Sequence, residues 1–410
     1  MHVLKYLDFV DTKYQPMETD LICTLQIEPE GISLKEAAGG VAAESSIGTW
    51  TELTTTKPYL LDLAAHVFDI EGKLVKIAYP VELFEQKNMP NILSSIAGNV
   101  FGLKALKNLR LNDINLPPKL IQGFKGPQFG IKGIRELLKV RERPLLGTII
   151  KPKLGLKTLD HARVAYEAWT GGCDIVKDDE NLSSQRFNPF EDRIVKTLES
   201  RDRAEEETGE RKVYMPNITA ETETMLERAE YVSNHGGEYV MLDILTCGFS
   251  ALQTLRDQGF KLVIHAHRAG HAAFTKNQKH GIAMCVIAKV ARIIGVDQLH
   301  VGTIVGKMSE TKEEVLENVS ALKEEMNGLK PVMPVASGGL HPRLVSSLIK
   351  TFGKDFIIQA GGGIHGHTDG TIAGATAMRQ AVTAVLEGKT LDEYAESHQE
   401  LRAALRLWSD

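Results

Sequence analysis

The stretch Lys177-Asp178-Asp179-Glu180 sets one lysine and three consecutive carboxylates at the end of the apolar run Gly171-Gly172-Cys173-Asp174-Ile175-Val176. Side chains alternate along a strand, so Lys177 and Asp179 project to one side, and Glu180 can turn in beside them where strand gives way to loop. Two carboxylates converging at a strand end suit a hard, oxygen-seeking cation such as Mg2+, which keeps positions open for water or substrate oxygens. The ammonium of Lys177 would repel such a cation. Its neutral amine, however, can capture CO2, and the carbamate so formed supplies an anionic oxygen ligand. Alone, the same four residues also describe a solvated strand-end salt bridge, so the rest of the chain must decide.

The elements that would position these residues recur. From about residue 140 a short apolar run, a few polar residues and a helical stretch follow one another repeatedly, with strand candidates at Gly147–Lys153, Cys173–Glu180, Val213–Asn217, Tyr239–Leu245, Leu262–His267, Gln298–Thr303, Val332–Ser337 and Phe356–Gly361. This pattern predicts a (β/α)8 TIM barrel with its site at the C-terminal ends of the strands. Those ends read Lys151-Pro152-Lys153, Lys177-Asp178-Asp179-Glu180, Asn217, His265-Ala266-His267-Arg268, His300, Ser337-Gly338-Gly339 and Gly361-Gly362-Gly363. A lone histidine or a Gly-Gly pair is ordinarily a packed residue or a turn. Charged and imidazole groups at most of the strand ends are hard to attribute to solvation. The glycine turns after the last two strands fall where barrels commonly hold a phosphate on backbone N–H groups. With Lys153, Arg268 and His300 adding charge for a second anionic end, a doubly phosphorylated sugar would fit.

The 410 residues, 43% hydrophobic and 25% charged, describe an ordinary globular chain long enough for two domains. A net charge of -5 argues against nucleic acid as a partner. No apolar run has the length of a membrane span and no signal-peptide core is present, so a cytoplasmic protein is expected. Cys23, Cys173, Cys247 and Cys285 are isolated and read as free thiols. Residues 1–135 mix strands (Asp20–Glu28, Leu74–Tyr79) with helices (Leu34–Glu44, Ile92–Phe101) into an N-terminal α+β domain, leaving 136–410 for the barrel.

The collected motifs resemble the large chain of ribulose-1,5-bisphosphate carboxylase/oxygenase, RuBisCO, and most closely its archaeal form III. They are Gly147-Thr148-Ile149-Ile150-Lys151-Pro152-Lys153, the stretch from Gly171 to Glu180, His265-Ala266-His267-Arg268-Ala269, and Gly302-Thr303-Ile304-Val305-Gly306-Lys307. The resemblance implies a ferredoxin-like N-terminal domain and Mg2+-dependent carboxylation of ribulose 1,5-bisphosphate to 3-phosphoglycerate. Lys177 would be the carbamylated lysine, binding Mg2+ with Asp179 and Glu180 and taking the C3 proton. Lys151 would protonate or polarise near C2, Lys153 would lie by the metal cluster, and His267 would aid later proton transfers. Arg268, His300 and Ser337 would hold the sugar and its far phosphate; Gly338, Gly339, Gly361 and Gly362 would hold the near one. Glu44, Thr49, Trp50 and Asn99 would complete the site of a partner subunit, making a homodimer or an assembly of dimers the working form.

The chain departs from the family after the sixth strand. Lys307, which would reach over the reacting centre, is followed by Met308-Ser309-Glu310-Thr311 and a helix-like run Glu313–Asn327, without the usual Glu-Gly and with a shortened connection. Gly270 stands where the family usually has a larger apolar residue. A second enzyme reading therefore stands beside the carboxylase: a RuBisCO-like protein that enolises or isomerises a phosphosugar or thio-sugar with little or no carboxylation.

Overall fold

The computed structural model describes residues 4–51, 53–306 and 310–409. Contacts divide the chain into two units, one formed by 1–125, 270–294 and 326–328, the other by 126–269, 295–325 and 329–410.

The second unit is the expected barrel. Its eight parallel strands are Leu145–Ile149, Ile175–Lys177, Val213–Met215, Tyr239–Asp243, Val263–His267, Gln298–His300, Met333–Ser337 and Ile357–Ala360. Each pairs with its sequence neighbours, the eighth with the first, and a bridge between Asn217 and Met241 joins the third to the fourth. The runs are almost wholly apolar because these strands are buried on both faces. Leu145, Ile175, Val213, Tyr239, Val263, Met333 and Ile357 meet in one buried cluster, which Ile134 and Leu138 of the helix Gly130–Leu138 extend. Several strands stop short of their expected ends. The reason is local: past Lys177, side chains replace the ladder, Asp179 accepting from the Asn181 amide and Asp178 from that of Asn217. Two capping motifs fix surrounding helices, Thr311 with Glu314 before Lys312–Lys323 and Thr390 with Glu393 before Leu391–Ala395. The helix expected over Glu313–Asn327 ends at Lys323, and Asn327 and Gly328 both turn to positive φ.

In the first unit a five-stranded sheet runs in the order Gly281–Ile282, Leu106–Asn115, Leu21–Pro29, Leu74–Tyr79, His66–Glu71. Leu34–Glu44 and Leu74–Tyr79 fall where expected. The helix expected over Ile92–Phe101 is instead Met89–Ile96 followed by a 3-10 turn, Asn99–Gly102. Asn88 caps the earlier start by accepting from the Asn91 amide, and at Gly98 the backbone leaves the helix. The edge strand Gly281–Ile282 comes from the segment 270–294, where Arg110 donates to the carbonyls of Thr275 and Asn277 and Lys289 reaches Asp113. All four cysteines are free. Among the described residues no helix is long and apolar enough to cross a membrane.

Candidate active site at the C-terminal end of the barrel

Lys177 ends the second strand with 1% of its surface exposed. Its Nζ donates to the Asp178 carbonyl at 2.7 Å and lies 2.9 Å from the Met241 sulfur. Burial pushes its pKa below the ordinary lysine value, against the opposing charges of Glu180, Asp179, Asp243 and Asp178. Two further lysines of the barrel end, Lys151 and Lys153, are each matched to a carboxylate. In the structure Lys151 Nζ is engaged by Asp179 Oδ2 at 2.7 Å, and Lys153 Nζ stands 3.7 Å from Glu180 Oε1.

Strand alternation separates the two aspartates. Asp179 shares the side of Lys177, whereas Asp178 turns into a closed cluster of Arg193, His161 and Tyr214. Burial would raise the Asp178 pKa, but the charge of Arg193 and the bonds from His161 and Tyr214 outweigh it and hold the carboxyl ionised. Asp178 is thus a structural anchor that carries Lys177 and Asp179 on either side. Asn217, beyond the third strand, donates to the Glu180 and Leu182 carbonyls at 3.0 Å and fixes the turn that follows.

From the fifth strand, His267 Nδ1 meets Asp243 Oδ1 at 2.5 Å, while its Nε2 faces Glu180 Oε2 at 3.7 Å. A carboxylate only accepts, so Nδ1 carries the proton and Nε2 is left for exchange with a ligand. Asp243 is a site residue that the sequence reading missed. His265 behaves similarly: its Nδ1 donates to Gln298 Oε1 at 2.9 Å, and its Nε2 therefore accepts from His300 Nε2 at 2.9 Å. Burial holds both rings well below the usual histidine value, so both stay neutral and His300 presents Nδ1 as an acceptor. Gln298 and His265 were likewise not singled out as setting this tautomer.

Arg268, next to His267, is buried and paired with Glu310. Ser337 closes the seventh strand, with Gly338 and Gly339 following. Gly306 packs so tightly on this turn that a Cβ would come within 2.3 Å of the Gly338 oxygen, and its φ of +89° favours glycine in any case. Gly361 lies against Lys151, whose Cε would be 3.0 Å from an added Cβ, and Gly362 opens the short helix Gly362–His365. The barrel end therefore brings together Lys151, Lys153, Lys177, Asp179, Glu180, His267, Arg268, His300, Ser337 and the four glycines.

The remaining expected residues lie elsewhere. Lys307 is outside the described residues. Glu44, Thr49, Trp50 and Asn99 belong to the first unit. There Glu44 accepts from the Tyr6 hydroxyl at 2.8 Å; burial and this bond push the tyrosine up to about 12. Trp50 is 81% exposed and Asn99 is exposed.

Among the described residues no three His, Cys, Asp or Glu side chains are grouped to hold a metal ion. Asp179 and Glu180 alone are too few for a resident cation. The donor set fits a hard divalent ion once the adjacent Lys177 becomes an anionic oxygen ligand, and its depressed basicity favours the neutral amine which that change requires.

Residues 130–408 match the family model for the ribulose bisphosphate carboxylase large chain catalytic domain, and residues 8–120 match the model for its N-terminal domain. The chain is 53% identical to the ribulose bisphosphate carboxylase of Pyrococcus furiosus, over 100% of this chain and 99% of the relative. It is 52% identical to that of Methanocaldococcus jannaschii, over 98% and 100% of the two. Among solved structures, the octameric Rubisco of Pyrococcus horikoshii in complex with sulfate superposes with a TM-score of 0.97 at 51% identity, covering 100% of this chain and 99% of that one. The dimeric archaeal Rubisco of Hyperthermus butylicus gives 0.92 at 46% identity, covering 98% and 99%.

Proposed function

The chain belongs to the ribulose bisphosphate carboxylase large-chain family, and from that premise we propose how its own residues carboxylate ribulose 1,5-bisphosphate to 3-phosphoglycerate. The observation that carries the reading is the burial of Lys177 beside Asp179 and Glu180, a lysine kept out of water with its amine directed at neutral acceptors. As the carbamate it would complete a ligand set for Mg2+ with those two carboxylates and would serve as the base for the C3 proton of the sugar. Bound there, Mg2+ would supply the positive charge that acidifies this proton and steadies the anion left behind.

Lys151, held by Asp179 and flanked by Gly361, polarises or protonates near C2, and Lys153 steadies Glu180. His267, its ring fixed by Asp243, exchanges protons through Nε2 in the later steps. Arg268 and Ser337 hold the far phosphate, while His300, neutral and so without the charge its sequence position suggested, accepts from a sugar hydroxyl at Nδ1; Gly338, Gly339, Gly361 and Gly362 hold the near phosphate. Lys307 stabilises the carboxylate newly formed from CO2. The N-terminal domain serves the barrel of a partner chain through Glu44, Thr49, Trp50 and Asn99. The exposure of Trp50 and Asn99 within their own unit supports that reading. The working form is then a homodimer or an assembly of dimers, in the cytoplasm.

The alternative suggested by the connection after Lys307, a relative that enolises without fixing CO2, is not favoured: relatives at about half identity over the full length are carboxylases. The test is to incubate the Mg2+- and CO2-activated protein with ribulose 1,5-bisphosphate and labelled bicarbonate. Labelled 3-phosphoglycerate is the expected product. C3 proton exchange without labelled product would return the enolising alternative.

A further inference from the structure

Glu310 is a carboxylate at the barrel end that the proposed chemistry does not use. Glu310 Oε1 lies 2.5 Å from Arg268 Nη2, and the two side chains are 12% and 6% exposed. Among the described residues, Arg268 Nη1 is buried with no hydrogen-bond partner. The site is shaped for the pair: Gly302 has a φ of +91°, and a Cβ there would sit 3.1 Å from Arg268 Nη2 and 3.2 Å from Glu310 Oε1. Glu310 also directly precedes Thr311, the capped start of the helix Lys312–Lys323, so its main chain is held where the carboxylate meets the guanidinium. We propose that Glu310 is a specificity-determining residue: its carboxylate occupies Arg268 in place of a substrate's phosphate, and binding of that phosphate displaces it. This rests on the assignment of Arg268 to a phosphate above.

The physical reasoning is one of competition. A guanidinium this far from water needs an anion, and leaving it unpaired is costly. A carboxylate oxygen and a phosphate oxygen are equivalent acceptors for a guanidinium N–H, so Glu310 and a ligand's phosphate compete for the same nitrogen, Nη2. Full engagement of Arg268 requires the carboxylate to be exchanged. A phosphate monoester, with close to two negative charges and three terminal oxygens, can make that exchange. A ligand bearing a single carboxylate or a hydroxyl gains too little to make it. Glu310 thus lowers the affinity of every ligand for Arg268 while raising the discrimination in favour of dianions.

The test uses the full-length, Mg2+- and CO2-activated enzyme with inorganic phosphate as the probe, read as its inhibition constant against ribulose 1,5-bisphosphate. Glu310→Gln keeps size and removes charge, and should tighten inorganic phosphate about tenfold and lower KM. Adding Arg268→Ala to that variant should abolish the gain. Glu310→Asp, which keeps the charge but shortens the reach, should give a smaller tightening and serves if the glutamine variant does not fold. If Arg268→Ala weakens phosphate binding but neither Glu310 variant tightens it, the role of Glu310 is overturned while Arg268 keeps its ligand. If Arg268→Ala leaves phosphate binding unchanged in every background, the assignment of Arg268 fails, and the proposal with it.

Discussion

The two ends of the barrel use the same charged residue types and answer them in opposite ways. At the N-terminal end Asp174 accepts from both terminal nitrogens of Arg143 at 2.6 Å and from the Leu146 amide. Arg379 links Asp174 to Glu210, which pairs with Lys212, and Lys212 in turn donates to the Cys173 carbonyl. Each charge of this network meets a counter-charge carried by the same scaffold. At the C-terminal end Lys177 is turned to a carbonyl and a thioether, and Arg268 keeps a buried nitrogen that no described residue partners. Closed networks hold the strands together, whereas charges left incompletely answered are available to a ligand. Asp178 and Asp179 show the same division within two residues, the first locked to Arg193 and the second turned toward the lysines.

The contrast predicts that one end fails in chemistry and the other in stability. Lys177→Ala, or Lys177→Arg, which keeps charge but cannot form the carbamate, should lower turnover by roughly a thousandfold or more. Circular dichroism and oligomer size should stay as in the wild type, and substantial activity in either variant would remove Lys177 from its role. At the opposite end Asp174→Asn leaves Arg143 and Arg379 without their buried anion, and denaturant unfolding should show a loss of about 3–5 kcal/mol. kcat/KM at a temperature where the variant is still folded should stay within about twofold of the wild type; a large catalytic defect would break the distinction between the ends.

Asp243→Asn sharpens the comparison within the active end. It preserves shape but offers His267 a weaker, ambiguous partner, so kcat should fall about 10- to 100-fold with little change in KM. An equal rise in KM would mean that Asp243 serves substrate binding instead. An effect on stability alone concerns acid. Burial chiefly pushes His365 down to about 4, where it bonds Thr148 and Thr371. Its unfolded value is near 6.5, so between those values the unfolded chain binds the extra proton. The stabilisation from burying the neutral ring is complete above pH 6.5 and declines as pH falls toward 4, by on the order of 2–3 kcal/mol. His365→Gln should flatten the pH dependence of unfolding in that window, and an unchanged slope would assign it to other groups.

The strand-end charges were legible because the apolar runs recur and each ends in a chemically loaded residue, which points every one of them at a single mouth. Asp243 was not legible. Within Val240-Met241-Leu242-Asp243-Ile244 it is one polar residue at the end of an apolar run, and its partner His267 meets it only through the register of the adjacent strand. Glu310 was read as part of a missing family pattern, since its guanidinium partner lies far away in sequence. The cause of the depressed Lys177 basicity was half legible: burial follows from the apolar strand, but the commitment of Lys151 and Lys153 to the carboxylates depends on side-chain geometry.

The N-terminal sheet takes its last strand, Gly281–Ile282, from a segment made only after five barrel strands have been synthesised. On a ribosome moving at roughly 5–20 residues per second, the edge of Leu106–Asn115 therefore waits on the order of ten seconds or more for its cover. During that interval the nascent chain carries an open sheet edge, a template for pairing with neighbouring chains on the same message. Lys107 and Arg110 on that strand place positive charge along the waiting edge, the kind of residue that discourages such pairing until residues 270–294 arrive.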